Sequence, residues 1–158
     1  MLRYAGHDVV FQEFPDEVTL AVNLAGCPHR CPGCHSPWLR RDEGDELDEA
    51  RLLALAEGYR DAVTCVALMG GDADPQAVAR LLTAVREHFG PRMHTGWYSG
   101  SDALPPGFRP EAFTYVKLGA WRAELGPLTS PATNQRLYRV TPRGLEDITP
   151  LMRRHGPA

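Results

Sequence analysis

The stretch AVTCVALMGGDADPQAVARLLTAVREHFG, residues 62–90, reads as one strand, one turn and one helix. Its first eight residues, 62–69, are apolar and partly β-branched, the composition of a strand buried in a sheet. Gly70-Gly71-Asp72 interrupts that run. Asp74 then stands where an N-cap belongs and Pro75 where a first helical residue belongs. Ala77, Val78, Leu81, Leu82 and Val85 recur at helical spacing until Gly90 stops the pattern. A strand that passes through a glycine turn into an amphipathic helix is a β/α unit, and such units build parallel sheets.

Outward from this unit the same alternation continues. Residues 18–24 (VTLAVNL) predict a strand ending near Gly26. Residues 47–59 (LDEARLLALAEGY) predict a helix with a broad apolar stripe and acidic residues in its first turn, where the helix dipole favours them. Residues 93–98 and 113–118 read as further strands, separated by a proline-rich loop over 104–110, and 137–140 reads as a last short one. The segment from Pro142 onward is polar and is expected to be peripheral.

The expected fold class is α/β, one domain over 1–158 with its core at about 18–140 and a peripheral tail over 141–158. The sheet is expected to be mainly parallel; a closed eight-fold β/α barrel takes about 250 residues, so any barrel-like reading of 158 residues must mean a partial, incomplete one. In such folds ligands sit at the carboxyl ends of the strands. The residues that follow the expected strands are Gly26 and the cysteines after it, Gly70-Gly71-Asp72, Ser99-Gly100 and Gly119, so four loops should converge on one rim.

Composition narrows the function. Seventeen Lys and Arg against twenty Asp and Glu give a formal charge of −3, which supplies no general attraction to nucleic acid or an anionic membrane. No run approaches the roughly 18 apolar residues of a membrane span, and the first residues lack a secretory pattern, so a soluble, cytoplasmic protein is expected. Three of the four cysteines fall in the segment CPHRCPGCH, as Cys27, Cys31 and Cys34.

Thiolates on a short loop with Pro28, Pro32 and Gly33 are the soft ligands selected by iron-sulfur clusters and zinc. Three cysteines can hold three corners of a metal cluster, and if it is a 4Fe-4S cubane one iron is left open for a small molecule. A Cys3His zinc site using His29 or His35, in a non-catalytic interaction module, is an alternative reading. A redox pair at Cys31-Pro-Gly-Cys34 is another, but it leaves Cys27 without a role. Cys65 lies within an apolar strand and is expected to be a packing residue. Trp38 and Trp121 are expected to pack or to face a partner. Gly70 and Gly71 permit close ligand approach, and the Asp72 carboxylate suits an ammonium group.

C-x3-C-x2-C after the first expected strand, with a Gly-Gly-acidic turn after the second, resembles the radical S-adenosylmethionine enzymes. Within them, the CPGCH segment, MGGDADP, GWYSG, YVKLG and TNQRLYRV together resemble the activating proteins of anaerobic (class III) ribonucleoside-triphosphate reductase, over roughly residues 18–140. The resemblance implies that Cys27, Cys31 and Cys34 ligate a 4Fe-4S cluster whose open iron is chelated by S-adenosylmethionine. It implies that Gly70, Gly71 and Asp72 hold the methionyl end, with Ser99, Lys117 and Asn134 as further cofactor or partner contacts.

Many relatives carry an aromatic residue just before the last cysteine of the motif. This chain has Gly33 there, and His35 is the candidate to lie against the adenine instead. The implied reaction is reductive cleavage to methionine and a 5′-deoxyadenosyl radical, which takes a hydrogen from a backbone glycine of the reductase. The implied partners are that reductase and a low-potential electron donor such as flavodoxin or ferredoxin. An enzyme of the same superfamily acting on another substrate is the remaining alternative. A barrel left open on one side suits a protein loop better than a small molecule.

Overall fold

The computed structural model describes residues 2–26 and 44–155. Cys27, Cys31, Cys34 and His35 lie outside them. Among the described residues eight strands form one sheet in the order β3-β1-β2-β4-β5-β6-β7-β8. The strands are β1 (Arg3–Val10), β2 (Thr19–Leu24), β3 (Asp45–Glu46), β4 (Cys65–Met69), β5 (His94–Tyr98), β6 (Tyr115–Leu118), β7 (Arg136–Thr141) and β8 (Gly144–Asp147). The helices are α1 (Glu49–Tyr59), α2 (Pro75–Phe89) and α3 (Thr149–His155).

The sheet is mixed. The central strands β2, β4, β5 and β6 pair in parallel, each with the next of the four along the chain. The flanking pairs β1–β2, β1–β3, β6–β7 and β7–β8 are antiparallel. Parallel pairing needs a crossover, and helices supply it where the sequence shows helical periodicity. The antiparallel flanks lie at the two ends of the strand order, β1 and β3 on one side and β7 and β8 on the other.

Local chemistry sets the helix starts. Asp74 Oδ1 accepts from the Ala77 amide at 3.2 Å, Pro75 opens α2, and Gly90 closes it at φ +74°. Asp48 caps α1 through Oδ1 and the Arg51 amide at 2.8 Å. Each such cap contributes about 1 kcal/mol.

Strand alternation splits the core into two faces. Val66 and Leu68 of β4, with Leu20, Val22, Leu24, Trp97, Val116 and Leu118, pack against Leu52 and Ala56 of α1 and against Val78, Leu82 and Val85 of α2. Cys65 and Ala67 point the other way, into a cluster with Phe14, Tyr115, Leu137, Ile148 and Met152. Both faces of the central strands are therefore covered, as continuous apolar runs require.

The second face is layered by the parallel register. Thr19, Cys65 and His94 lie side by side, then Ala21, Ala67, Gly96 and Tyr115, then Asn23, Met69, Tyr98 and Lys117. Three of the four residues of the middle layer, Ala21, Ala67 and Gly96, are small, and the ring of Phe14 fills the space over them beside Tyr115. Phe14 is 1% exposed, stacks on Tyr115 at 4.9 Å and meets Tyr98 edge-on at 5.3 Å. The Tyr98 hydroxyl donates to the Glu13 carbonyl at 2.6 Å, which pins the connection carrying Phe14.

The segment from Pro142, expected as a peripheral tail, adds β8 and α3. Ile148, Thr149 and Met152 are buried, the Ile148 amide donates to the Leu137 carbonyl, and the Leu137 amide donates to Thr149 Oγ1.

Candidate functional site

The carboxyl ends of the four parallel strands form one rim. Asn23, Met69, Tyr98 and Lys117 are in register, so the residues that follow them leave the sheet side by side. After β2 the chain reaches Gly26 at φ +74°, one residue before Cys27. It returns at Gly44, and β1 holds both ends: the Arg3 carbonyl accepts from the Ala25 amide at 2.9 Å, and Arg3 Nη1 donates to the Gly44 carbonyl at 3.2 Å. The cysteine-bearing segment thus departs from the rim and comes back beside its point of departure.

After β4, Gly70 and Gly71 take φ +104° and +89°, a region that side chains disfavour. Gly71 has a second reason to be glycine. A Cβ there would stand 2.6 Å from Val78 Cγ2 and 2.7 Å from Leu24 Cδ1, so the turn is pressed onto α2 and β2. Trp97 Nε1 donates to the Gly70 carbonyl at 2.6 Å, and the Gly70 amide donates to the Tyr98 carbonyl at 2.9 Å.

Asp72 turns toward the loop after β5. Its Oδ1 accepts from Ser99 Oγ at 2.5 Å and its Oδ2 from the Gly100 amide at 2.9 Å. Ser99 is completely buried, and its Oγ also accepts from the Ser101 amide at 3.0 Å.

The loop after β6 is tied in the same way. The Gly119 amide donates to the Ser101 carbonyl at 2.8 Å, and Lys117 Nζ donates to the Gly119 carbonyl at 3.1 Å. Lys117 is buried, with its ammonium 5.2 Å from the centre of the Tyr98 ring. Asn134 Nδ2 donates to the Ala120 carbonyl at 3.0 Å. Gly119 sits at φ +117°, and a Cβ there would lie 2.9 Å from Gln135 Cα, so this backbone also packs closely.

The structure therefore gathers Gly70, Gly71, Asp72, Ser99 and Lys117 at one rim, with Asn134 one loop farther along. Sequence reasoning missed the Trp97 indole on the Gly70 carbonyl and the Asp102 carboxylate that accepts from the Ala120 amide at 3.3 Å. Neither has a local signal, because both depend on strand register.

Cys65 lies at the opposite end of the sheet, at the start of β4 and about 16 Å of strand from Gly70. It is fully buried; burial pushes its thiol far up from the ordinary 9.0, and the Glu17 carboxylate adds to the rise. That end holds a separate polar cluster. Glu17, buried, accepts from Thr64 Oγ1 at 2.7 Å, from the Tyr115 hydroxyl at 2.8 Å and from His94 Nδ1 at 2.6 Å. Among the described residues no three His, Cys, Asp or Glu side chains come together as a metal site.

Residues 17–103 match the family model described as the 4Fe-4S single cluster domain. The chain belongs to this family. No curated protein and no solved structure matches it. The 4Fe-4S single cluster domain match runs through β2, the cysteine motif, the β4–α2 unit and β5 to Ala103, so it includes Gly70, Gly71, Asp72 and Ser99. Lys117 and Asn134 lie beyond it. Among the described residues no helix is long and apolar enough to cross a membrane.

Proposed function

We propose that Cys27, Cys31 and Cys34 ligate the 4Fe-4S cluster and leave one iron open to S-adenosylmethionine. The chain has four cysteines, and Cys65 is removed from the donor set by its burial, its raised thiol pKa and its place at the far end of β4. Three thiolates remain, a donor set that fits a cubane with one non-cysteine corner. The observation that carries the reading is the parallel register that pairs Asn23 with Met69, so that the loop reaching Cys27 and the Gly70-Gly71 turn leave neighbouring strands at the same end, with Leu24 packed against both glycines. A ligand bridging those two loops touches cluster and turn together.

When bound and reduced, the cluster would supply one electron for reductive cleavage of the bond between the sulfonium and the 5′ carbon, giving methionine and a 5′-deoxyadenosyl radical able to take a hydrogen atom from glycine. The protein's part is placement. The Gly70-Gly71 turn offers backbone without side chains to the methionyl end, while Lys117 and Asn134 steady the loops on the other side of the rim.

We read the fold as the wall of an incomplete β/α barrel: four parallel strands in chain order, with α1 and α2 on one face. The other face is filled at its middle layer by Phe14, so a substrate hydrogen would be presented at the rim from outside. That supports a macromolecular substrate, and with the motif resemblance it supports a glycyl-radical activase for anaerobic ribonucleoside-triphosphate reductase, fed by a low-potential donor of the flavodoxin or ferredoxin kind.

The test is anaerobic reconstitution followed by an iron count, reduction with S-adenosylmethionine, and electron paramagnetic resonance after addition of the reductase. The expected results are about four irons per chain, release of 5′-deoxyadenosine, and a glycyl doublet on the reductase. Cofactor cleavage without a doublet would assign the chain another substrate. A protein that takes up zinc and no iron would overturn the reading.

A further inference from the structure

The acidic residue of a Gly-Gly-Asp turn is expected to reach the ammonium of a bound amino acid moiety. Its surroundings here give it different work. Both Asp72 oxygens face consecutive residues of the neighbouring loop, the Ser99 hydroxyl and the Gly100 amide. Ser99 is completely buried and passes the contact on to the Ser101 amide, whose own carbonyl accepts from Gly119. One carboxylate thus joins the loops after β4, β5 and β6 into a chain of hydrogen bonds. A charged acceptor is the strong choice for such a joint, since charge-assisted hydrogen bonds are shorter and about twice as strong as neutral ones.

The two glycines of the turn, Gly70 and Gly71, bring no side chain of their own to hold its shape, and both sit at positive φ. The Trp97 indole fixes the Gly70 carbonyl, and Asp72 fixes the residue that follows the two glycines. We infer that Asp72 is a positioning residue: it clasps the glycine turn to the Ser99-Gly100 loop and so sets the turn's geometry toward S-adenosylmethionine, rather than pairing with the cofactor's ammonium. This rests on the proposed function above.

The test uses the reconstituted protein and four variants, Asp72→Asn, Asp72→Ala, Ser99→Ala and the double variant Asp72→Ala/Ser99→Ala. Asparagine keeps the shape of the clasp, since its carbonyl can accept from Gly100 and its amide can donate to the Ser99 hydroxyl, but it has no charge for an ammonium. Equilibrium binding of S-adenosylmethionine should fall about tenfold or more in Asp72→Ala, the size of a lost charged hydrogen bond. Ser99→Ala should fall in the same direction, and the double variant no further than Asp72→Ala. Asp72→Asn should stay within about threefold of wild type, that is, within about 0.65 kcal/mol.

The deaminated cofactor analogue separates the roles further. A clasp predicts that Asp72→Ala weakens the analogue as much as the cofactor. Amide hydrogen exchange at Gly100 and Ser101 reads the clasp without any cofactor, and should quicken in Asp72→Ala and Ser99→Ala but not in Asp72→Asn. The inference is overturned if Asp72→Asn binds the cofactor as poorly as Asp72→Ala while the analogue is insensitive, or if exchange at these amides is unchanged in every variant. Failure of the wild type to bind S-adenosylmethionine would instead overturn the proposed function, and the exchange rates would still decide the clasp.

Discussion

Gly96→Ala should destabilise the protein, although alanine in a strand is ordinarily no worse than glycine. Gly96 lies in the middle of β5, in the layer of small residues beneath Phe14. A Cβ there would come 2.8 Å from Phe14 Cε2 and 3.0 Å from Cε1, and nearer still to Cζ, closer than real Cβ atoms approach their neighbours. The ring cannot move aside freely, because Tyr115 stacks on it at 4.9 Å and Tyr98 closes its edge at 5.3 Å. Overpacking of this kind costs about 1–3 kcal/mol. Removing the ring, by Phe14→Ala, costs about 3–5 kcal/mol as a large-to-small core change. In that background the added methyl meets a void, so Gly96→Ala should become neutral or stabilising by up to about 1 kcal/mol through the unfolded state. The two effects therefore change sign rather than add. Urea denaturation of the four proteins, handled anaerobically after reconstitution, measures the cycle. Independent effects adding within about 0.5 kcal/mol would refute the wedge of Phe14 against Gly96.

Other consequences are simpler to state. Cys65→Ala should retain the full iron content and visible absorption of the wild type, whereas Cys31→Ala should assemble no cluster; loss of iron in Cys65→Ala would return that thiol to the ligand set. Glu17→Gln should lower stability by about 1.5–3 kcal/mol, because a buried charged acceptor with three donors is replaced by one that also carries two hydrogens; at about 2–4 °C per kcal/mol the midpoint falls by about 3–12 °C on thermal unfolding. Stability should also decline at alkaline pH. The folded pKa values of Cys65, Tyr98 and Tyr115 are all raised, chiefly by burial, from ordinary values of 9.0, 10.0 and 10.0. Above those values the unfolded chain has lost protons that the native one keeps, so unfolding gains with each unit of pH. Urea midpoints from pH 7 to 10.5 check the direction, and a midpoint that rises above pH 9 would contradict it.

The β4–α2 unit was legible because every local signal agreed: an apolar run, two glycines, an aspartate cap, a proline and a helical stripe. β1 was not. Its sequence RYAGHDVV has no clean alternation, it carries an irregularity between Tyr4 and Gly6, and it is a strand only because β2 offers an edge for it. β8 is exposed along its length, so no apolar pattern marks it, and its two-residue connection through Pro142 and Arg143 looks like a tail until pairing is known. The same division runs through the site. Gly70 and Gly71 announce themselves because their need is conformational and local. The partners of Asp72 lie 27 and 28 residues away, and nothing short of the β4–β5 register brings them together. Sequence could name the rim residues but could not say which way Asp72 faces.

The two ends of the parallel strands also differ in a way that bears on what the rim can do. At the amino ends, Glu17 takes three donors and fixes the connection that carries Phe14, and Thr64 is held on both sides by Glu17 and the Val18 amide. That layer is separated from the rim by Phe14 and Tyr115. At the carboxyl ends, the side chains that were candidates for direct ligand contact bond largely to backbone: Ser99 with the Ser101 amide, Lys117 to the Gly119 carbonyl, Asn134 to the Ala120 carbonyl. These contacts shape the loops, and the buried Asn134 Oδ1 makes no hydrogen bond among the described residues. A site built in this way presents main chain and glycine turns to its ligand, and with Phe14 filling the face below, a bound cofactor would lie across the rim rather than within the sheet. That is the arrangement the proposed reaction needs, because a backbone glycine brought in by another protein is the substrate that demands the least enclosure.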